Sequence, residues 1–218
     1  MMRSRFDEQL NRLNAALIEL GGMVEYAIGG GVKALCRQDL PLAREVMAFD
    51  HAVDQKEREI EQMCIRLLLQ QQPVARDLRF ISAALKMITD MERIGDQAAD
   101  ISELVTMLDP RTFERAPVHI PDMGDQAIAM VKAAVSAFVA RDMEAAQRVI
   151  AADDRQDQLF GAVRDELVAW IAQEPMNGAQ ALDLMMIAKY LERIGDHAVN
   201  IAEWVQFAVT GTHKEAEE

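Results

Sequence analysis

Apolar residues recur at the three- and four-residue spacing of an amphipathic helix along most of the first half of the chain. This pattern predicts helices at about 6–35, 39–71 and 74–108. Asp39 and Pro41 are typical of a helix start, because an aspartate caps free backbone N–H groups and proline fits the first turn.

The same pattern returns in the second half, with helices predicted at about 122–140, 142–173 and 179–210 and a C-terminal cap at Gly211. Prolines concentrate between the halves, so we interpret 110–121 as a linker. The predicted fold is all-α, with two tandem three-helix bundles at 1–109 and 122–211 and a polar tail at 212–218.

A repeated motif supports this duplication. Glu-Arg-Ile-Gly-Asp occurs at 92–96 and, 100 residues later, at 192–196. This period is too long for a solenoid repeat and fits a duplicated domain. On a helix, the motif places acidic residues on one side and apolar residues on the other. The acids are Glu92, Asp96 and Asp100 in the first copy, and Glu192 and Asp196 in the second, where Asn200 replaces the third acid.

Each motif is preceded by an aspartate pair at i,i+4 spacing, Asp50/Asp54 in one half and Asp153/Asp157 in the other. Like charges at this spacing destabilise a helix by about 0.2–0.5 kcal/mol per pair. Such acids either form a solvated face or bind hard cations such as Mg²⁺, Ca²⁺, Mn²⁺ or iron. Their recurrence at matching places in both halves favours cation binding.

Glycines interrupt the first predicted helix at 21–22 and 29–31. Glycine in a helix costs about 1 kcal/mol relative to alanine, so the triplet needs a reason. The pattern is compatible with a kink and equally with the close approach of another helix or a partner.

Composition excludes some classes of function. The net charge of −13 argues against nucleic-acid binding, which requires a basic surface. Cys36 and Cys64 lack metal-ligand spacing, and we interpret both as reduced thiols in the core. Neither a signal peptide nor an apolar run long enough to cross a membrane is evident, so we expect a soluble intracellular protein.

The sequence also lacks Glu-x-x-His, the pair that di-iron bundle enzymes use, and it lacks Walker, GxSxG, HExxH and Rossmann motifs. His51 directly follows Asp50 and His197 directly follows Asp196, and we expect both to be polar residues that flank the acidic side of the helix. The missing motifs count against a carboxylate-rich metalloenzyme of the helical-bundle type, which is the alternative hypothesis. A third is a helical scaffold whose acids bind nothing.

The two motif copies, together with Ala-Arg-Asp-Leu-Arg at 75–79 and Asn-Ile-Ala-Glu at 200–203, strongly resemble the PhoU family. The resemblance implies a cytoplasmic, non-enzymatic accessory protein of the phosphate-specific ABC transporter, and a negative regulator of the phosphate-starvation response. It implies the transporter's ATPase subunit and the membrane sensor histidine kinase as partners. The expected protein is a homodimer, at most peripheral to membrane complexes.

The resemblance also implies multinuclear metal binding through Glu/Asp-x-x-x-Asp motifs, with iron, zinc, manganese or magnesium as the ion. Asn200 in place of a third acid implies fewer or more weakly held ions in the second site. The implied ligands are Asp50, Asp54, Glu92, Asp96, Asp100, Asp153, Asp157, Glu192 and Asp196.

Overall fold

The computed structural model describes residues 2–71, 73 and 75–212, so most of the predicted polar tail lies outside the described residues. This part of the chain forms six α-helices, with short 3₁₀ turns at Pro110–Arg115 and Pro175–Asn177. The helices are α1 (Met2–Arg37), α2 (Leu40–Gln71), α3 (Arg76–Met107), α4 (His119–Ala140), α5 (Met143–Gln173) and α6 (Gly178–Thr210).

Helices α1–α3 pack together as one three-helix bundle, and α4–α6 form another. The bundles join through contacts of α1 with α4 and of α3 with α6, which leaves α2 and α5 on the outside. One apolar core runs through both bundles. The predicted all-α fold with a duplicated three-helix bundle is confirmed.

The same turn joins the first two helices of each repeat. Gln38 (φ 54°) and Arg141 (φ 57°) end α1 and α4 in the left-handed region. The next residue caps the following helix: Asp39 Oδ1 accepts from the Leu42 N–H at 3.0 Å, and Asp142 Oδ1 accepts from the Ala145 N–H at 3.0 Å. The predicted helix start at Asp39 is therefore confirmed, and its cap recurs in the second repeat.

Helix α4 begins at His119, about three residues before the predicted start and inside the segment 110–121 that we interpreted as a linker from its prolines. Pro121 lies in its first turn, where a proline is tolerated because the N–H that it lacks would have no helical partner. Glu166 of α5 accepts from the Val118 N–H at 3.0 Å and pairs with His119. The carboxylate is thus at the positive end of α4, which favours a negative charge.

The glycine triplet lies inside α1, which continues unbroken through it. The structure supports close helix approach as its explanation, because each glycine faces a different helix. A Cβ atom would lie 3.6 Å from Ile128 of α4 at Gly29, 2.5 Å from Val46 of α2 at Gly30, and 3.1 Å from Ser102 of α3 at Gly31.

Helices α1 and α4 meet in a reciprocal contact. A Cβ atom at Gly21 would lie 3.2 Å from Val135, and one at Gly124 would lie 2.7 Å from Val32. An offset of 103 residues converts each pair into the other. Such exchange is the property of a two-fold contact, so the repeats are related by an approximate two-fold axis.

The two cysteines differ in their surroundings. Cys64 is buried, and burial raises the pKa of its thiol to about 12, as expected for a core thiol. Cys36 is exposed, so its assignment to the core was wrong. It lies in the last turn of α1, next to the basic residue Arg37.

Two helical segments, Phe6–Arg37 and His119–Ala140, meet the length and hydropathy expected of a membrane span. In this fold 44% and 50% of their most apolar windows are buried inside the bundle. Core helices of a soluble protein meet the same criterion, so these segments are weak evidence for membrane insertion.

Alanine substitutions in α1 should have opposite effects at Gly22 and Gly30. Nothing lies within 4 Å of a Cβ at Gly22, so Gly22→Ala should stabilise the fold by about 0.5–1 kcal/mol through helix propensity. Gly30→Ala should destabilise it by about 1–3 kcal/mol, because the added methyl group overlaps the stiff, buried Val46. Urea midpoints measure both effects. A stabilising Gly30→Ala would contradict the close packing of α1 on α2.

Candidate metal centres

Three acids predicted as metal ligands meet between α2 and α3. One carboxylate oxygen from each of Asp50, Asp54 and Asp96 lies within 4.8 Å of the others. All three side chains are half-buried. The fold thus joins the first aspartate pair to the first motif, and we call Asp50, Asp54, Glu92 and Asp96 the first centre.

The motif glycine permits this approach. A Cβ at Gly95 would lie 2.9 Å from Val53 Cγ1 and 3.3 Å from Asp50 Oδ1. The carboxylate of Asp50 therefore lies against α3 at a place where a larger residue would obstruct it. Asp50 Oδ1 is buried and has no hydrogen-bond donor among the described residues. A buried polar atom without a partner is costly, which makes this oxygen a candidate ligand.

The electrostatics of the first centre favour a bound positive charge. Burial, followed by the charges of Asp96 and Asp54, raises the pKa of Asp50 to about 6. Arg93 pairs with Asp96 at 2.9 Å, and Arg58 lies 3.7 Å from Asp54, but both arginine side chains are largely exposed. Either a proton or a cation would relieve the repulsion at Asp50.

Glu57 adds a further acid that was not among the predicted ligands. Burial and the charges of Glu61 and Glu92 raise its pKa. Its position on the acidic side of α2, seven residues after Asp50, was the available signal.

The second repeat builds a matching arrangement from Asp153, Asp157, Glu192 and Asp196, which we call the second centre. Asp153 Oδ1 is buried without a described donor, and it would lie 3.3 Å from a Cβ at Gly195. Burial, then the charges of Asp157, Asp196 and Glu192, raises the pKa of Asp153 to about 6.

The second centre is the more open and the less acidic of the two. Asp157 and Asp196 are exposed, and within the described part of the chain only the first centre brings three acids within 4.8 Å. Lys189 pairs with Glu192 and lies 5.6 Å from the ring centroid of Phe160. At the matching positions the first repeat has Thr89 and Glu57.

Asp100 contacts the other repeat. It lies beside Tyr190 of α6, where burial and the charge of Asp100 raise the pKa of the tyrosine. Asp100, predicted as a ligand, is therefore at the contact between α3 and α6. The structure does not group it with Asp50, Asp54 and Asp96.

A polar network that sequence reasoning missed lies at the same contact. Asp90 accepts hydrogen bonds from His197 Nδ1 at 2.9 Å, Asn200 Nδ2 at 3.1 Å and Trp204 Nε1 at 3.3 Å. The Asp90–Asn200 contact is the counterpart of the Tyr190–Asp100 contact, because the offset of 100 matches Asp90 to Tyr190 and Asp100 to Asn200. Asn200 therefore belongs to this interface, and its expected effect on metal binding at the second centre stays a prediction.

The family model of the PhoU domain matches the chain twice, at residues 17–105 and 120–205. The chain belongs to the PhoU family. Each match contains one aspartate pair and one motif, so each PhoU domain contributes one centre.

Relatives that match nearly the whole length of this chain carry the name phosphate-specific transport system accessory protein PhoU homolog. The one from Clostridium acetobutylicum is 34% identical over 212 residues, covering 97% of both chains. The one from Pseudomonas aeruginosa is 34% identical over 209 residues, covering 95% of this chain and 86% of that protein.

Two crystal structures of PhoU proteins have the same fold. PhoU from Pseudomonas aeruginosa superposes with a TM-score of 0.86 at 34% identity, covering 95% of this chain and all of the other. The phosphate transport system regulatory protein PhoU from Streptococcus pneumoniae gives 0.87 at 28% identity, covering 95% of this chain and 98% of the other.

The raised pKa values predict how the stability of the metal-free protein depends on pH. Asp50 and Asp153 hold protons up to about pH 6 when folded, against 3.8 as the ordinary value. Between these values the folded state binds more protons, so stability falls as pH rises through this window. We expect a higher urea midpoint at about pH 5 than at about pH 7.5.

The double variant Asp50→Asn, Asp153→Asn should lose much of this pH dependence, because asparagine does not titrate. Asp7→Asn, on the exposed side of α1, is the matched control and should retain it. An equal pH slope in the double variant would show that other groups cause the dependence.

Proposed function

We propose that the chain is an accessory regulator of a phosphate-specific transport system and that it binds metal ions at its two centres. The naming of full-length relatives as accessory and regulatory proteins supports the first part. The second part rests on one observation above all. In both repeats a buried aspartate oxygen, which has no donor in the part of the chain that the structure describes, lies beside three further acids.

The donor set fits a hard cation. Oxygen ligands suit magnesium, manganese and iron, whereas zinc sites in proteins more often include histidine or cysteine. Asp50, Asp54, Glu92 and Asp96 would hold ions at the first centre, and Asp153, Asp157, Glu192 and Asp196 at the second. Bound cations would neutralise the carboxylates and link α2 to α3 and α5 to α6.

The regulatory part of the proposal follows the family. We propose a cytoplasmic negative regulator of the phosphate-starvation response that acts through the transporter's ATPase subunit and the sensor histidine kinase, as a homodimer. No catalytic role is proposed. The metalloenzyme alternative has no specific observation in its favour, and the relatives carry the names of accessory proteins.

Metal titration tests the centres. We expect chelator-treated protein to take up Mn²⁺ or Fe²⁺ and to melt at a higher temperature, because ligands that bind only the folded state stabilise it. The first centre should bind more tightly. Lys189→Thr introduces the residue of the first repeat and removes the positive charge that pairs with Glu192, so it should strengthen binding at the second centre by about tenfold.

Lys33→Thr, at an exposed position on α1, is the control and should change neither affinity. Protein that takes up no metal and melts at the same temperature with and without it would contradict the metal centres.

A gene deletion tests the regulatory role. Deletion should leave phosphate-starvation genes expressed in phosphate-replete cells, and the wild-type gene should restore repression. The double variant Asp50→Asn, Asp153→Asn should accumulate normally and fail to restore it. Normal repression in the deletion strain would refute the regulatory role, whereas full rescue by the double variant would separate regulation from metal binding.

A further inference from the structure

A groove between α4 and α5 lies on the outside of the second repeat and is not used by the proposed centres. Its volume is about 420 Å³. Small side chains dominate its lining, among them Ala129, Ala133, Ala145 and Ala152, and Arg148 lies on the α5 side.

The first repeat fills the matching place with its own aromatic side chains. The offset of 103 that relates the turns and the glycine contacts matches Tyr26 to Ala129 and Phe49 to Ala152. The Tyr26 and Phe49 rings meet edge to face, with centroids 5.0 Å apart. Tyr26 Oη also donates to Glu45 Oε1 at 2.5 Å.

The charge beside the groove is reversed in the second repeat, where Arg148 replaces Glu45. Arg148 is exposed and has no ion-pair partner within the part of the chain that the structure describes. The second repeat therefore lacks both rings and the acid of the first, and it presents an open groove with an exposed guanidinium group at its edge.

We propose that this groove docks a segment of a partner protein that presents an aromatic side chain beside a carboxylate. The ring would cover the alanines that replace Tyr26 and Phe49, and aromatic anchors commonly supply much of the binding energy of an interface. The carboxylate would pair with Arg148. This inference rests on the proposed accessory role, which requires a partner surface, and does not depend on metal binding.

Two short amidated peptides test the proposal, one with phenylalanine next to glutamate and one with lysine in place of the glutamate. Alanine methyl resonances of the whole chain report binding, because Ala129, Ala133, Ala145 and Ala152 line the groove. We expect the glutamate peptide to shift these resonances and to bind about fivefold more tightly than the lysine peptide, as expected of an exposed ion pair.

Two variants make the test specific. Ala129→Tyr with Ala152→Phe introduces the matching residues of the first repeat. This double variant should abolish the peptide-induced shifts of the alanine methyl resonances while the protein keeps its helical circular dichroism. Arg148→Glu leaves the groove open and should reverse the preference, so that the lysine peptide binds more tightly. Because Arg148 is exposed, the Arg148→Glu variant should fold even if the Ala129→Tyr, Ala152→Phe variant does not.

Three outcomes would overturn the proposal: no shift of the groove alanines with either peptide, equal binding of both peptides, or unchanged binding after the groove is filled. Loss of a dimer on filling would also overturn it, because a second copy would then be the occupant. If the chain failed to restore repression in the deletion strain but bound the glutamate peptide through Arg148, the proposed function would fall and the docking site would stand.

Discussion

The close approach of two helices at one glycine is the constraint on which both centres depend. At Gly95 and Gly195 the absence of a side chain allows the preceding helix to lie near the backbone of the next. Asp50 and Asp153 lie in this contact, where each has a buried oxygen that no donor among the described residues reaches. A proton or a cation would stabilise carboxylates in such a place, because they lose hydration and face other acids. The glycine of the motif thus has an electrostatic consequence as well as a packing role.

The approximate two-fold axis repeats this constraint, but the outer surfaces of the two repeats differ. Inside, reciprocal contacts such as Gly21 with Val135 and Gly124 with Val32 restrict side-chain size. Outside, solvent accepts many side chains. The second repeat therefore has Lys189 beside its acids and alanines where the first has Tyr26 and Phe49. Two repeats with the same backbone arrangement therefore have unequal centres, and the second repeat has the open groove between α4 and α5.

The sequence by itself determined the helices, the duplication and the caps, because these depend on short-range order. Apolar spacing at 3.6 residues per turn predicts a helix whatever it packs against, and Asp39 bonds to an amide three residues away. The self-match at 92–96 and 192–196 required no coordinates. The same reasoning could not choose between a kink and close packing for the glycine triplet, and it misplaced Cys36, because both depend on neighbouring helices.

Only the tertiary structure decided which acids share a centre. Asp96 and Asp100 are consecutive acids on the acidic side predicted for the motif helix, but each i,i+4 step rotates the side chain by about 40° around the helix axis. That rotation leaves Asp96 beside α2 and turns Asp100 toward Tyr190 of α6. Asp90 belongs to no motif, but the packing of α3 on α6 makes it the shared acceptor of a hydrogen-bond network between the repeats. A helical pattern fixes the direction of a side chain, whereas the packing of the bundle determines what that side chain meets.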